Sequence, residues 1–227
     1  MFYIDHYYLI LVVPTLILSM FAQFKVKSTF HKYSNVRCSR NITGQDAARL
    51  LLRDNSISDV AVESVQGSLT DHYDPRSKKL RLSEPVYAQP SIAAVGVAAH
   101  EAGHAIQHAK GYGPLVLRST LVPVANIGSS MGPWIAIAGL FFSFPILTNI
   151  GIALFAGAVL FYLITLPVEF DASARALANL RSGKVLTEEE LKGAKKVLTA
   201  AALTYVASAL TAIMSLLRLI LLSRGRR

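Results

Sequence analysis

The chain has 227 residues, of which 52% are hydrophobic and only 16% charged, and 23 Lys and Arg against 14 Asp and Glu give a net charge of +9. Composition this apolar argues against a soluble globule and for a membrane protein; the basic excess gathers beside apolar spans, as topology signals do, which argues against a nucleic-acid partner. Cys38 is the only cysteine, excluding an internal disulfide and any Cys-based zinc site.

Residues 7–24 form an apolar run, about 18 residues long and sufficient for a hydrocarbon core of about 30 Å. It lacks a basic leader and a small-residue cleavage site, so it reads as a retained anchor. Pro14 is placed to kink it. Tyr3, Tyr7 and Tyr8 are interfacial aromatics at one end, Lys25 and Lys27 flank the other, and the positive-inside rule runs this helix from outside to cytoplasm.

Residues 25–118 have the character of a soluble domain. Thr43 is placed to N-cap an amphipathic helix over 45–53 ending near Asn55. Residues 60–65, 69–73 and 80–82 read as three short strands, with Asp74-Pro75-Arg76-Ser77 as a turn, giving a small antiparallel sheet. The sheet leads into residues 91–110, mostly small helix-compatible residues without proline, ended by Gly111-Tyr112-Gly113-Pro114.

That helix carries His100-Glu101-Ala102-Gly103-His104, an H-E-x-x-H pattern. Four-residue spacing puts both imidazoles on one helix face, able to meet one cation, while Glu101 addresses a water bound to it. This is the minimal constellation of a zinc hydrolase, and it requires a third ligand.

Residues 121–142 and 147–168 follow as two apolar runs joined by Ser143-Phe144-Pro145, a transmembrane hairpin. Gly128, Gly132, Gly139, Gly151 and Gly157 are the small residues expected where membrane helices pack closely. Past Pro167 the sequence turns charged while remaining helical in composition (Glu169 to Leu177), and Ser182-Gly183 breaks it. Thr187 and Glu190 then form a capping box opening a helix that is apolar over 200–222 and carries Arg218. The organisation predicted is an anchor (1–24), a membrane-proximal domain (25–118), a hairpin (119–168), a helical segment completing the site (169–199) and a fourth membrane helix with basic tail (200–227).

Four crossings place Arg224, Arg226 and Arg227 outside, against the rule that oriented the first helix. A partly interfacial last segment, a tolerated exception and an inverted orientation all answer that conflict. A catalytic side facing the cytoplasm is the reading adopted, because the loops 25–118 and 175–196 share a side and carry most of the Lys and Arg.

The same topology delivers Glu169 to the side of His100 and His104. A carboxylate at the mouth of a membrane helix needs a partner, and as third ligand it would complete two histidines and a carboxylate with an open position, the pattern of a catalytic zinc. Two alternatives stand beside it: Glu169 as an interfacial residue paired with Arg175, and Asp171 as the ligand, turned roughly 200° from Glu169 on a helix so that only one of the two faces a given metal. His108 continues the four-residue spacing but lies about 6 Å further along the axis, which makes it a surface or cleft residue.

Taken together, HEAGH, the hairpin and Glu169-Phe170-Asp171-Ala172-Ser173 resemble the membrane-embedded gluzincin peptidases, most closely the YugP-like neutral zinc metallopeptidases. Asp71-His72-Tyr73-Asp74-Pro75, Leu80-Arg81-Leu82-Ser83 and Leu121-Val122-Pro123-Val124-Ala125 extend the likeness. The resemblance implies a mostly α membrane protein of about four transmembrane helices with a small α+β zincin-like domain. It also implies one zinc ion on His100, His104 and Glu169, with Glu101 as general base of an endopeptidase. More distant relatives of the HtpX and CAAX-prenyl-protease type carry E-x-x-x-D, where this chain has Ser173, a group able to bond a ligand histidine but bringing no charge. A metzincin needs a histidine where Lys110 stands, and the Asp-Gly pair of site-2 proteases is absent.

The expected partners are a protein or peptide substrate and the lipid bilayer. His72, Tyr73 and Arg175 are candidates to stabilise an oxyanion, and the strand 80–82 is a candidate edge for strand addition by substrate. A zinc-binding but non-proteolytic scaffold or chaperone subunit, and a small transporter with a coincidental motif, are the competing classes.

Overall fold

The computed structural model describes residues 5–225. Tyr3, Arg226 and Arg227, assigned topological roles above, lie outside the described residues. A π-helical turn, Tyr8–Val12, leads into α1 (Val13–Ser34), followed by α2 (Gly44–Asp54), β1 (Ala61–Val65), β2 (His72–Asp74), β3 (Lys79–Ser83) and the short α3 (Glu84–Tyr87). Then come α4 (Ile92–Ala109), α5 (Gly113–Phe141), α6 (Pro145–Ser182) and α7 (Glu188–Arg224). The chain is mostly helical, with four helices long and apolar enough to cross a membrane: Tyr8–Ser34, Gly113–Phe141, Pro145–Ser182 and Glu188–Arg224.

Two compact units divide the chain. The membrane unit contains the chain up to Gln23, Val116–Pro167 and everything from Leu203 on; the globular unit contains Phe24–Leu115 and Val168–Ala202. Each long helix passes from one unit into the other along its length.

In the membrane unit, large apolar side chains such as Met20, Trp134 and Phe141 face outward, as lipid-facing residues do, while Ala136, Phe155, Ala158, Val159, Ala212 and Leu219 form the interior. Helices in lipid gain little from hiding apolar surface, so they associate by close packing of small residues. The α5–α6 hairpin does so: a Cβ on Gly151 would lie 2.2 Å from the Ala136 amide nitrogen, and one on Gly128 2.2 Å from the Leu154 carbonyl oxygen. Pro14 is accommodated by the π-helical turn before it, since the ring supplies no N–H to the preceding turn. Asp5 pairs with Arg218, whose guanidinium also stacks 5.2 Å from the Tyr8 ring centre.

The globular unit is built around α4. The buried face of α2 (Ala47, Ala48, Leu51, Leu52) packs on it within one apolar cluster that also takes Leu80, Leu82, Val86, Leu180 and Leu198. The predicted caps are present: Thr43 and Asp46 close a capping box on α2, and Thr187 and Glu190 do so on α7. Ser91 caps α4 by accepting from the Ala94 amide.

The sheet has the order β1-β3-β2. Its β2–β3 hairpin is antiparallel, as read, around a Pro75–Lys78 turn in which Asp74 accepts from the Arg76 amide and the Ser77 hydroxyl. β1, however, runs parallel to β3 and pairs with it directly, Val62 opposite Leu80 and Ser64 opposite Leu82. β3 is therefore the central strand, with Leu80 and Leu82 fully buried, and the expectation that 80–82 forms a free edge is corrected. Both of its backbone flanks are used, and the sheet's edges belong to β1 and β2.

Candidate metal centre

α4 is rich in alanine and glycine, and its small side chains let neighbouring backbones come close. Gly103 sits between the two motif histidines, where a Cβ would lie 2.6 Å from the Ala172 carbonyl oxygen of α6. Ala172 is almost one turn past Glu169, so this near-contact of backbones occurs at the level of the candidate ligands. Here the glycine is required by approach, not by its own dihedral angles.

The structure brings His100, His104 and Glu169 together, their donor atoms all within 4.8 Å of one another. Glu169 Oε2 is 3.2 Å from His100 Nε2 and 3.6 Å from His104 Nε2. The rings of the two histidines stand nearly perpendicular at 81°, with centroids 4.7 Å apart. Donors at zinc distances of about 2.0–2.1 Å in a tetrahedron stand about 3.3–3.5 Å from each other. The measured separations bracket that spacing, and two imidazole nitrogens with one carboxylate oxygen form a donor set zinc accepts, so these residues fit the ion. Of the competing assignments, Asp171 is held away from the set by Gln107 and Arg175, and His108 bonds Tyr73 instead.

Glu101 and Glu169 are both buried, Glu169 with only 2% of its surface exposed. Burial drives the His104 ring toward neutrality, but its hydrogen bond to Glu169, the charges of Glu101 and Glu169 and the bond to Gln107 more than offset this and raise its pKa. Zinc and protons compete for such a ring. Near Glu101, the carboxyl of Asp71 is raised by burial despite bonds from the Ser83 amide and hydroxyl, with the charge of Glu101 adding to the shift.

The remaining predicted residues divide. Ser173 reaches the set, its hydroxyl 3.2 Å from His100 Nδ1. Tyr73 hydrogen-bonds His108 Nδ1 at 2.8 Å, one turn along α4 from His104, and burial followed by the charges of Asp59 and Asp74 pushes its phenol up to about 12. Arg175 is engaged by Asp171 and lies over the Tyr112 ring. His72 is exposed, its ring directed at the Thr70 carbonyl and Arg81.

Sequence reasoning passed over Gln107. It is wholly buried, its Oε1 3.0 Å from His104 Nδ1 and its Nε2 2.8 Å from both the Val168 carbonyl and Asp171 Oδ2. The available signal was its place three residues past a candidate ligand histidine, and so on the same face of the helix.

Comparison with known proteins points to a zinc peptidase family. A family model described as "Putative neutral zinc metallopeptidase" matches residues 8–224. The chain is 49% identical over 215 residues to "Putative membrane protease YugP" of Bacillus subtilis (strain 168), covering 95% of this chain and 96% of that protein. No solved structure matches the chain.

Proposed function

Because this chain belongs to the neutral zinc metallopeptidase family, we propose that it is a zinc-dependent membrane endopeptidase whose metal is held by His100, His104 and Glu169. The observation that carries the reading is the convergence of those three donors within 4.8 Å of one another, with the Glu169 carboxylate 3.2 and 3.6 Å from the two imidazoles. Zinc bound there supplies a Lewis acid that lowers the pKa of water toward about 7 and polarises a peptide carbonyl. Glu101, buried on α4 beside His100, takes a proton from that water at its carboxylate and returns it to the leaving amine. Burial of both carboxylates limits the water that would otherwise screen these charges.

An extended substrate requires a strand edge to pair with. With β3 internal, β2 is the edge this reading uses, since Tyr73 on it bonds to the helix that carries the motif. Tyr73, as a protonated phenol, is the oxyanion donor this reading uses, its hydroxyl turning from His108 Nδ1 to the oxyanion; His72 is exposed and Arg175 is held by Asp171. The site is placed on the cytoplasmic face, a reading supported by the Lys- and Arg-rich loops that share its side of the four crossings.

The test is cleavage of casein and of a membrane-protein substrate by purified full-length protein, with and without a zinc chelator. Chelation should abolish cleavage and zinc should restore it; chelator-resistant cleavage would overturn the proposal. Glu101→Gln should keep its zinc and lose activity by about 10²- to 10⁴-fold, the range for a general base. Undiminished cleavage in that variant removes Glu101 from the proton transfer.

A further inference from the structure

We propose that Gln107 is a positioning residue that sets the tautomer of His104 and ties that ligand to the turn of α6 bearing Glu169. The inference rests on the zinc reading above and adds a role for a residue outside the motif.

The argument is one of donors and acceptors. A glutamine amide offers one acceptor oxygen and one NH₂ donor, and the choice between its two orientations follows from its neighbours. One end of the Gln107 amide meets two groups at 2.8 Å, the Val168 carbonyl oxygen and a carboxylate oxygen of Asp171. Both are acceptors, so that end must be the NH₂, and its two hydrogens are both used. The oxygen end then faces His104 Nδ1 at 3.0 Å, and an acceptor there requires Nδ1 to carry the proton. In the neutral ring this leaves the lone pair on Nε2, the nitrogen that lies with the ligand set beside Glu169. Asp171 is in turn fixed by the Arg175 guanidinium, so the chain from Arg175 through Asp171 and Gln107 to His104 has no rotor of undetermined direction.

The bond to Val168 adds a second function. Val168 immediately precedes Glu169, so one side chain of α4 grips the ligand-bearing turn of α6 while orienting a ligand of α4 itself. Gln107 is completely buried, where an unsatisfied amide is costly, and among the described residues no buried side-chain polar atom lacks a partner. His100 lacks an equivalent constraint: its Nδ1 neighbour is the Ser173 hydroxyl, which can donate or accept. The two ligand histidines are thus supported unequally, and the stronger support falls on the one whose partner lies outside the motif.

The test uses full-length protein in detergent micelles and measures zinc affinity by competition with a chromogenic chelator, with the melting temperature of zinc-free protein as control for folding. Gln107→Leu, close in volume but without hydrogen bonds, should weaken zinc binding about 10- to 100-fold, the usual effect of losing an outer partner of a ligand histidine. Gln107→Glu keeps an acceptor for His104 but sets carboxylate oxygens against Asp171 and the Val168 carbonyl, and should also bind zinc weakly.

Zinc binding by Gln107→Leu or Gln107→Glu within twofold of the parent would reduce Gln107 to packing and overturn the inference. The unmodified protein gives an independent answer if the variants fail to fold. ¹⁵N-histidine NMR of the zinc-loaded form should show His104 protonated at Nδ1, and a proton on Nε2 with metal on Nδ1 would overturn it. An unmodified protein that binds no zinc fails the metal reading itself, a result visible before any variant is compared.

Discussion

Both units of this molecule bring helix backbones into near-contact with glycine, but to different ends. In the membrane unit Gly128, Gly132, Gly139 and Gly151 lie so close to the facing helix that a Cβ would fall within 3 Å of its backbone nitrogen or oxygen, and the close fit is itself the cohesion, because lipid supplies no hydrophobic drive between helices. In the globular unit Gly103 makes the same approach to Ala172, yet cohesion there comes from the buried face of α2, the central strand β3 and the apolar residues of α6 and α7. The approach instead sets the separation of two helices that each carry candidate ligands. One device therefore has two consequences when it is disturbed: loss of association in the first unit and loss of ligand geometry in the second.

The largest expected effect removes a ligand outright. Glu169→Ala should lower zinc affinity by more than the roughly 10- to 100-fold expected for loss of a supporting group, and the purified variant should fall well short of one zinc per chain by metal analysis. Full occupancy would move the third ligand elsewhere. Gly103→Val comes next, since the added carbons collide with the Ala172 carbonyl, backbone that cannot rotate aside. Overpacking of this kind costs about 1–3 kcal/mol, and the comparison predicts that zinc affinity falls before the zinc-free melting temperature does. A variant that melts early but binds zinc normally when folded would erase the distinction between the units.

The residues legible in sequence were those whose role depends on spacing or local chemistry. His100, Glu101 and His104 follow from helical periodicity, Glu169 from counting membrane crossings, the α7 capping box from Thr187 and Glu190 three apart, and the α2 N-cap from Thr43, to which the structure adds the reciprocal bond of Asp46. Features set by long-range pairing were less legible. The three strands read as one antiparallel sheet with 80–82 as a candidate edge, whereas β1 bypasses β2 and joins β3 in parallel, because the choice of neighbour depends on which strand the apolar cluster draws inward, and Leu80 and Leu82 are wholly buried. Hydropathy placed the end of the first apolar run at residue 24, but α1 continues to Ser34. Lys25 and Lys27 mark where apolar character stops, and no Pro or Gly follows to end the helix. Gln107 carried no motif, since its meaning lies in Val168 and Asp171, which the hairpin separates from it in sequence.

Gly151→Leu is the converse test in the membrane unit. Its side chain would press on the amide nitrogen and Cα of Ala136, so the α5–α6 hairpin must part, at about 1–3 kcal/mol. The melting temperature in detergent should drop while zinc affinity of the folded fraction stays within about twofold of the parent, since ligand and supporting residues all lie in the globular unit. A parallel loss of zinc would show that the two units act as one cooperative body.

The smallest effect compares two carboxylates. Asp5 in the membrane unit is paired with Arg218, whereas Asp71 in the globular unit accepts from the amide and hydroxyl of Ser83. Burial raises the pKa of Asp71 above that of the unfolded chain, so the folded state binds its proton more tightly. The stability this contributes is complete below the unfolded value of about 3.9 and is lost as pH rises through the folded value. Asp71→Asn removes the titration and keeps an acceptor for Ser83. The parent should therefore gain melting temperature relative to Asp71→Asn as pH is lowered from 7 toward 4, by an amount equivalent to about 1 kcal/mol or less. A difference between the two that does not change with pH would mean that Asp71 titrates alike in the folded and unfolded chain, the Ser83 bonds then compensating its charge as Arg218 compensates that of Asp5.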